Sequence, residues 1–187
     1  MKDCPVLFLA FAMIIIACNP AAKYQEEIKS LNDLKSEVQT VKVTFDAIDF
    51  DKFNQLADET SKRMAEFNRM YRGELYKEQA RILSEFNDVK RLLKKFNPQY
   101  KRLKNEFERT NLQLSGLIET LEVGADKDGA GNIVDENYLF KQIELETKVA
   151  QSLISEIKDF SDRLRRADVQ FKEANQPMQD LFDELVE

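Results

Sequence analysis

The chain contains no histidine. Without an imidazole there can be no Ser-His-Asp or Cys-His pair. Di-iron carboxylate bundles need two Glu-x-x-His motifs and are excluded as well. Cysteine is nearly absent, with only Cys4 and Cys18, so the usual His and Cys ligands of zinc are missing and a disulfide framework is not in use. There is no tryptophan, and of five glycines three (Gly124, Gly129 and Gly131) fall in one short segment. Basic charge is outweighed, 28 Lys and Arg against 34 Asp and Glu, for a net charge of -6. An acidic chain is a poor general nucleic-acid binder, because such binding rests on phosphate neutralisation by Lys and Arg. No apolar run is long enough to span a bilayer, which takes about 20 residues.

The longest apolar run, Val6 to Ala17, has twelve residues and follows the weakly positive start at Lys2. That is the length of a signal-peptide core. An ordinary signal peptide would end in a small-x-small pattern, whereas this one ends Ile15-Ile16-Ala17-Cys18. The ending resembles the lipobox of bacterial lipoproteins, in particular those of Gram-negative bacteria. The resemblance implies a signal peptide over 1–17 and a mature chain beginning at Cys18, which would carry a diacylglyceryl thioether and an acylated amino group (palmitate-type chains). One chain anchors only marginally, at about 0.8 kcal/mol per buried methylene, whereas two or three hold a protein firmly on a membrane. Asn19 stands where an Asp would resemble the inner-membrane retention signal, which favours the outer membrane. The remainder is similar to small, helical, coiled-coil-like lipoproteins, some of which carry the label viral A-type inclusion protein. That label implies heptads and no viral function.

After a tether at 18–23, residues 24–187 read as one all-α domain. In the first helix, Tyr24, Ile28, Leu31, Leu34, Val38, Val41, Phe45 and Ile48 follow steps of three and four, the period of a helical seam. Asp49 or Asp51 can cap a second helix, predicted over Lys52–Phe96 with a bend at Gly73. Asn97-Pro98 predicts a turn into a third helix, Pro98–Val123. The polar loop Gly124–Asp135 leads to a fourth, Glu136–Ala174. Gln176-Pro177 predicts a break before a short amphipathic C-terminal helix bearing Met178, Leu181, Phe182, Leu185 and Val186. Glu146 interrupts the fourth seam. These elements give an elongated up-down antiparallel bundle of four long helices plus a short one. Seams of this length can also be buried between two copies, so a homodimer stays open.

Three segments could carry function besides Cys18. Lys90, Arg91, Lys94, Lys95, Lys101, Arg102 and Lys104 form a run with no acid among them, placed by the Asn97-Pro98 turn at a hairpin tip beside the anchored end. There it could touch anionic headgroups or lipopolysaccharide phosphate. The alternative is a solvated hairpin whose charges pair with neighbouring acids. The loop Asp126–Asn137 resembles part of an EF-hand: Asp126 and Asp128 match the first two ligands, Gly131 the turn glycine and Ile133 the aliphatic position, with Asn132 and Asp135 as further candidate ligands. Ala130, Val134 and Asn137 supply none of the ligands that motif needs at their places, so a plain Gly/Asp-rich connection is the alternative. The terminal helix can dock in a partner's groove or pack back on its own bundle.

Other carboxylates, such as Glu26, Glu27, Asp180, Asp183 and Glu184, belong to the solvated faces of amphipathic helices. No catalytic residue, metal or cofactor is expected. The reading is a non-enzymatic, lipid-anchored envelope protein acting as a helical scaffold or interaction module, with a membrane and an envelope protein as partners. A periplasmic holdase-like or lipid-binding protein, using a bundle groove or the basic tip, is the alternative.

Overall fold

Apolar residues spaced three and four apart fall on one side of an α-helix, and burying that stripe is what holds such a chain together. The computed structural model describes residues 20–125, 127, 131 and 133–186. Cys18, the leader, Asp126, Asp128 and Asn132 lie outside the described residues. The described chain is all-α: α1 (Pro20–Lys23), α2 (Gln25–Asp46), α3 (Phe50–Met70), α4 (Lys77–Val123) and α5 (Glu136–Val186). The expected tether is thus helical from Pro20 onward.

The first seam is used as its spacing predicts. Tyr24, Leu31, Val38, Val41 and Phe45 are buried, with Ile28, Leu34 and Ile48 half-buried beside them. Asp49 starts α3, its carboxylate accepting the Lys52 backbone N–H at 3.1 Å. Thr60 occupies a seam position with its hydroxyl turned back on the Leu56 carbonyl at 2.9 Å.

The boundaries farther along differ from expectation in three places. The bend at Gly73 is a full break, with α3 ending at Met70 and α4 starting at Lys77. Tyr71 is extended there, and its hydroxyl donates to the Glu74 carbonyl at 2.8 Å. A Cβ on Gly73 would lie 2.5 Å from that hydroxyl oxygen, so the missing side chain makes room for the ring. Conversely, there is no turn at Asn97-Pro98: α4 continues through Pro98 to Val123. Nor is there a break at Gln176-Pro177, because α5 continues through Pro177 to Val186.

An interior proline removes one backbone bond and costs about 3 kcal/mol. Burial on both sides outweighs that loss. Phe86, Val89, Leu93, Phe96, Leu103, Phe107 and Leu114 are all buried along α4. Ala167, Met178 and Leu181 are buried across Pro177. Gly124, with φ 68°, ends α4 in the left-handed conformation, its N–H bonded to the Thr120 carbonyl at 3.0 Å.

The helices gather into two compact units, one from 20–36 and Thr110–Ala150, the other from Glu37–Arg109 and 151–186. The first buries Leu31, Leu114, Leu117, Leu121, Leu139 and Ala150, together with Glu146 at the interrupted seam position. In the second, contacts fix the helix directions. Lys52 meets Asp168 and Arg63 meets Asn175, so α3 and α5 run the same way. Gln79 meets Glu184 and Arg102 meets Glu156, so α4 runs against α5. Phe45, Phe96 and Phe160 form the aromatic centre of this unit, with Phe96 edge-on to Phe160 at 5.7 Å. A second cluster joins Met64, Phe67 and Phe86 to Met178 and Leu181.

Candidate functional site

The seven basic residues lie on one uninterrupted stretch of α4, and the tip is not formed. The predicted hairpin depended on a turn at Pro98, and the helix passes through it. Six of the seven side chains are exposed and Lys90 is half-buried. Two are neutralised locally: Arg91 pairs with Asp88 at 2.9 Å, and Arg102 pairs with Glu156 of α5. Among the described residues Lys90, Lys94, Lys95, Lys101 and Lys104 make no ion pair within 4.0 Å. Partial burial, followed by repulsion from Lys94 and Arg91, pushes the Lys90 ammonium below its ordinary pKa. The run is therefore a largely exposed cationic face in which two of the seven charges are paired.

The calcium-type loop is described only in part. Lys127 and Ile133 form an isolated antiparallel bridge, and Gly131 has φ 85°. Asp135 acts as the cap of α5, accepting the Tyr138 N–H at 2.7 Å. Among the described residues no group of three or more Asp, Glu, His or Cys is arranged to hold a metal ion.

The C-terminal stripe packs back on its own unit. Met178 and Leu181 are buried against Met64, Phe67 and Phe86, with Phe182 and Leu185 partly buried around them.

The structure also forms a surface that no single segment announces. Along the α4–α5 seam of the second unit run two open depressions. One, of about 370 Å³, is lined by Glu85, Asp88, Val89, Leu92, Gln170, Glu173 and Ala174. The other, of about 440 Å³, is lined by Tyr76, Glu78, Gln79, Ile82, Pro177, Asp180, Leu181 and Glu184. Gln79, in the lining of the second, ties the start of α4 to α5: its Oε1 accepts the Tyr76 N–H, and its Nε2 donates to Glu184, both at 2.9 Å. Arg81 pairs with both Glu78 and Glu85. Its hydrogen bond to Glu78 holds that carboxyl below the usual range and raises its own guanidinium.

Comparison with protein-family models, with curated proteins and with solved structures finds no match for this chain.

The function must therefore be read from the residues themselves. No described helix is long and apolar enough to cross a membrane. The α4–α5 depressions were hidden from sequence reasoning because Pro177 read as a break. With α5 cut there, Glu173 and Asp180 fall on different helices.

Proposed function

We propose that the chain is a lipid-anchored, non-enzymatic protein of the bacterial cell envelope that works as a helical interaction module. The observation that carries the reading is Cys18, at the end of the apolar run Val6–Ala17 in the sequence Ile15-Ile16-Ala17-Cys18. Acyl chains on its sulfur and amino group give a lasting attachment that a twelve-residue run cannot give. Asn19 in place of Asp favours the outer membrane. The all-α fold supports a binding rather than a catalytic role, because its apolar residues are spent on helix seams while charged residues cover its faces.

Crosslinking in intact cells, followed by mass spectrometry, tests this reading. The expected result is a reproducible envelope protein joined through residues of the helical units. Crosslinks to cytoplasmic proteins alone would contradict it.

A second reading rests on the α4 face. Five lysines without ion pairs, four of them exposed, make a surface suited to phosphate-bearing lipid, at about 1 kcal/mol for each basic residue near an anionic membrane. Liposome binding that survives charge reversal at Lys94, Lys95, Lys101 and Arg102 would remove this reading.

A further inference from the structure

The two depressions follow one another along the α4–α5 seam and together make a groove. On α5 the lining residues Gln170, Glu173, Pro177, Asp180 and Glu184 recur at steps of three and four, a single stripe along one helix. On α4, Glu78, Ile82, Glu85, Val89 and Leu92 do the same. Because the helices are antiparallel, both stripes advance together. From position 78 to position 92 the groove is about 21 Å long at 1.5 Å per residue, or about four helical turns.

Its chemistry has two parts. Ile82, Val89, Leu92, Ala174 and Leu181 give an apolar floor, with Tyr76 standing 80% exposed at one end. The walls carry Glu78, Glu85 and Asp88 on one side and Glu173, Asp180 and Glu184 on the other. The cations paired with these acids are Arg81 and Arg91 alone among the described residues. The α4 wall is thus compensated by two arginines, and the uncompensated acids are Glu173, Asp180 and Glu184 of the α5 wall.

We propose that this groove docks a cationic amphipathic helix of about four turns from a partner protein. Apolar side chains three and four apart on the guest would meet the floor, and Lys or Arg on the flank beside α5 would meet Glu173, Asp180 and Glu184. Tyr76 would cover the guest's end as an aromatic anchor. The assignment of a basic helix follows from the charge: an acidic guest would face the three carboxylates of the α5 wall that have no cation among the described residues, and a neutral one would leave them uncompensated. This inference rests on the interaction-module reading and names the class of partner.

The test uses the full chain and three synthetic peptides of about 14 residues. One carries a leucine stripe flanked by lysines, one the same stripe flanked by glutamates, and one the lysine composition scrambled. Binding is followed by fluorescence anisotropy. The lysine-flanked helix alone is expected to bind. The exposed wall substitutions Glu173→Lys and Asp180→Lys should each weaken it about tenfold, and Glu144→Lys in the other unit should not. Circular dichroism checks that each variant keeps its helix content. Glu173→Gln gives a milder second probe of the wall.

Equal binding of all three peptides, no binding, or wall variants that bind like the parent chain would each overturn the proposal. So would a sedimenting dimer that buries the groove against a second copy. Failure here, combined with cell crosslinks on another surface, would leave the interaction module standing with its docking site elsewhere.

Discussion

Phe50 stacks on Tyr100 with ring centroids 4.0 Å apart and planes 7° from parallel. Phe45 covers Tyr100 as well, at 4.8 Å and 17°. The two phenylalanines flank the junction between α2 and α3, and Tyr100 lies two residues beyond Pro98. One ring therefore joins the junction to α4 just where that helix has lost a backbone bond. Removing it in Tyr100→Ala should destabilise the fold by about 3 kcal/mol, from lost burial and lost stacking. Tyr100→Phe should keep most of the stability. Chemical denaturation of both variants checks this, and equal stabilities would show that the stack contributes little.

Pro98 should be a liability that the seam overrides. Restoring the N–H in Pro98→Ala lets residue 98 bond to the Lys94 carbonyl and should stabilise the protein by about 2 kcal/mol, part of the proline penalty being returned through a looser unfolded chain. A turn at this position would give no gain. Thermal melts of the two proteins separate the alternatives.

Met178 is fully buried among Met64, Phe67 and Phe86. Met178→Ala should cost about 2–5 kcal/mol through lost transfer energy and a cavity. Truncation after Gln176 removes Leu181 too and should lower the melting temperature further. An unchanged melt would mean that the C-terminal stripe is free for a partner.

Asp168 accepts from Lys172 and Lys52, at 2.7 and 2.6 Å, and these bonds hold its carboxyl below the ordinary value of 3.8. A depressed carboxyl stabilises the fold above the unfolded-state value, and that contribution disappears as pH falls through the folded-state value. Asp168→Asn should therefore be less stable than the parent at neutral pH, by less than about 1 kcal/mol because the pairs are solvated. The gap should close at acid pH, below the folded-state value. A gap of the same size at both pH values would contradict the assignment.

The fold class was legible because burial follows spacing. Every stripe residue from Tyr24 to Ile48 is buried or half-buried. The prolines misled because each was weighed by its local cost. Across Pro98 the sequence Phe96, Tyr100, Leu103, Phe107 keeps its steps of four, three and four, and across Pro177 the sequence Phe171, Ala174, Met178, Leu181 keeps three, four and three. A turn would reset that register, so the unbroken phase was the signal for continuous helices. Gly73 differed because no seam partner bridges it: Tyr71 and Leu75 are only half-buried, and neighbouring Arg72, Gly73 and Glu74 are exposed. The groove could not be read at all, since it exists only when residues about 90 apart in the chain are brought side by side by antiparallel packing.

Fatty acylation of Cys18 is the premise on which the address of the protein depends. Metabolic labelling with an alkyne palmitate, followed by mass spectrometry of the N-terminal peptide, tests it directly. The predicted result is a tagged chain beginning at Cys18, with the tag abolished and the protein released from membranes in Cys18→Ala. An untagged chain that still carries Met1 in the exported protein would contradict it.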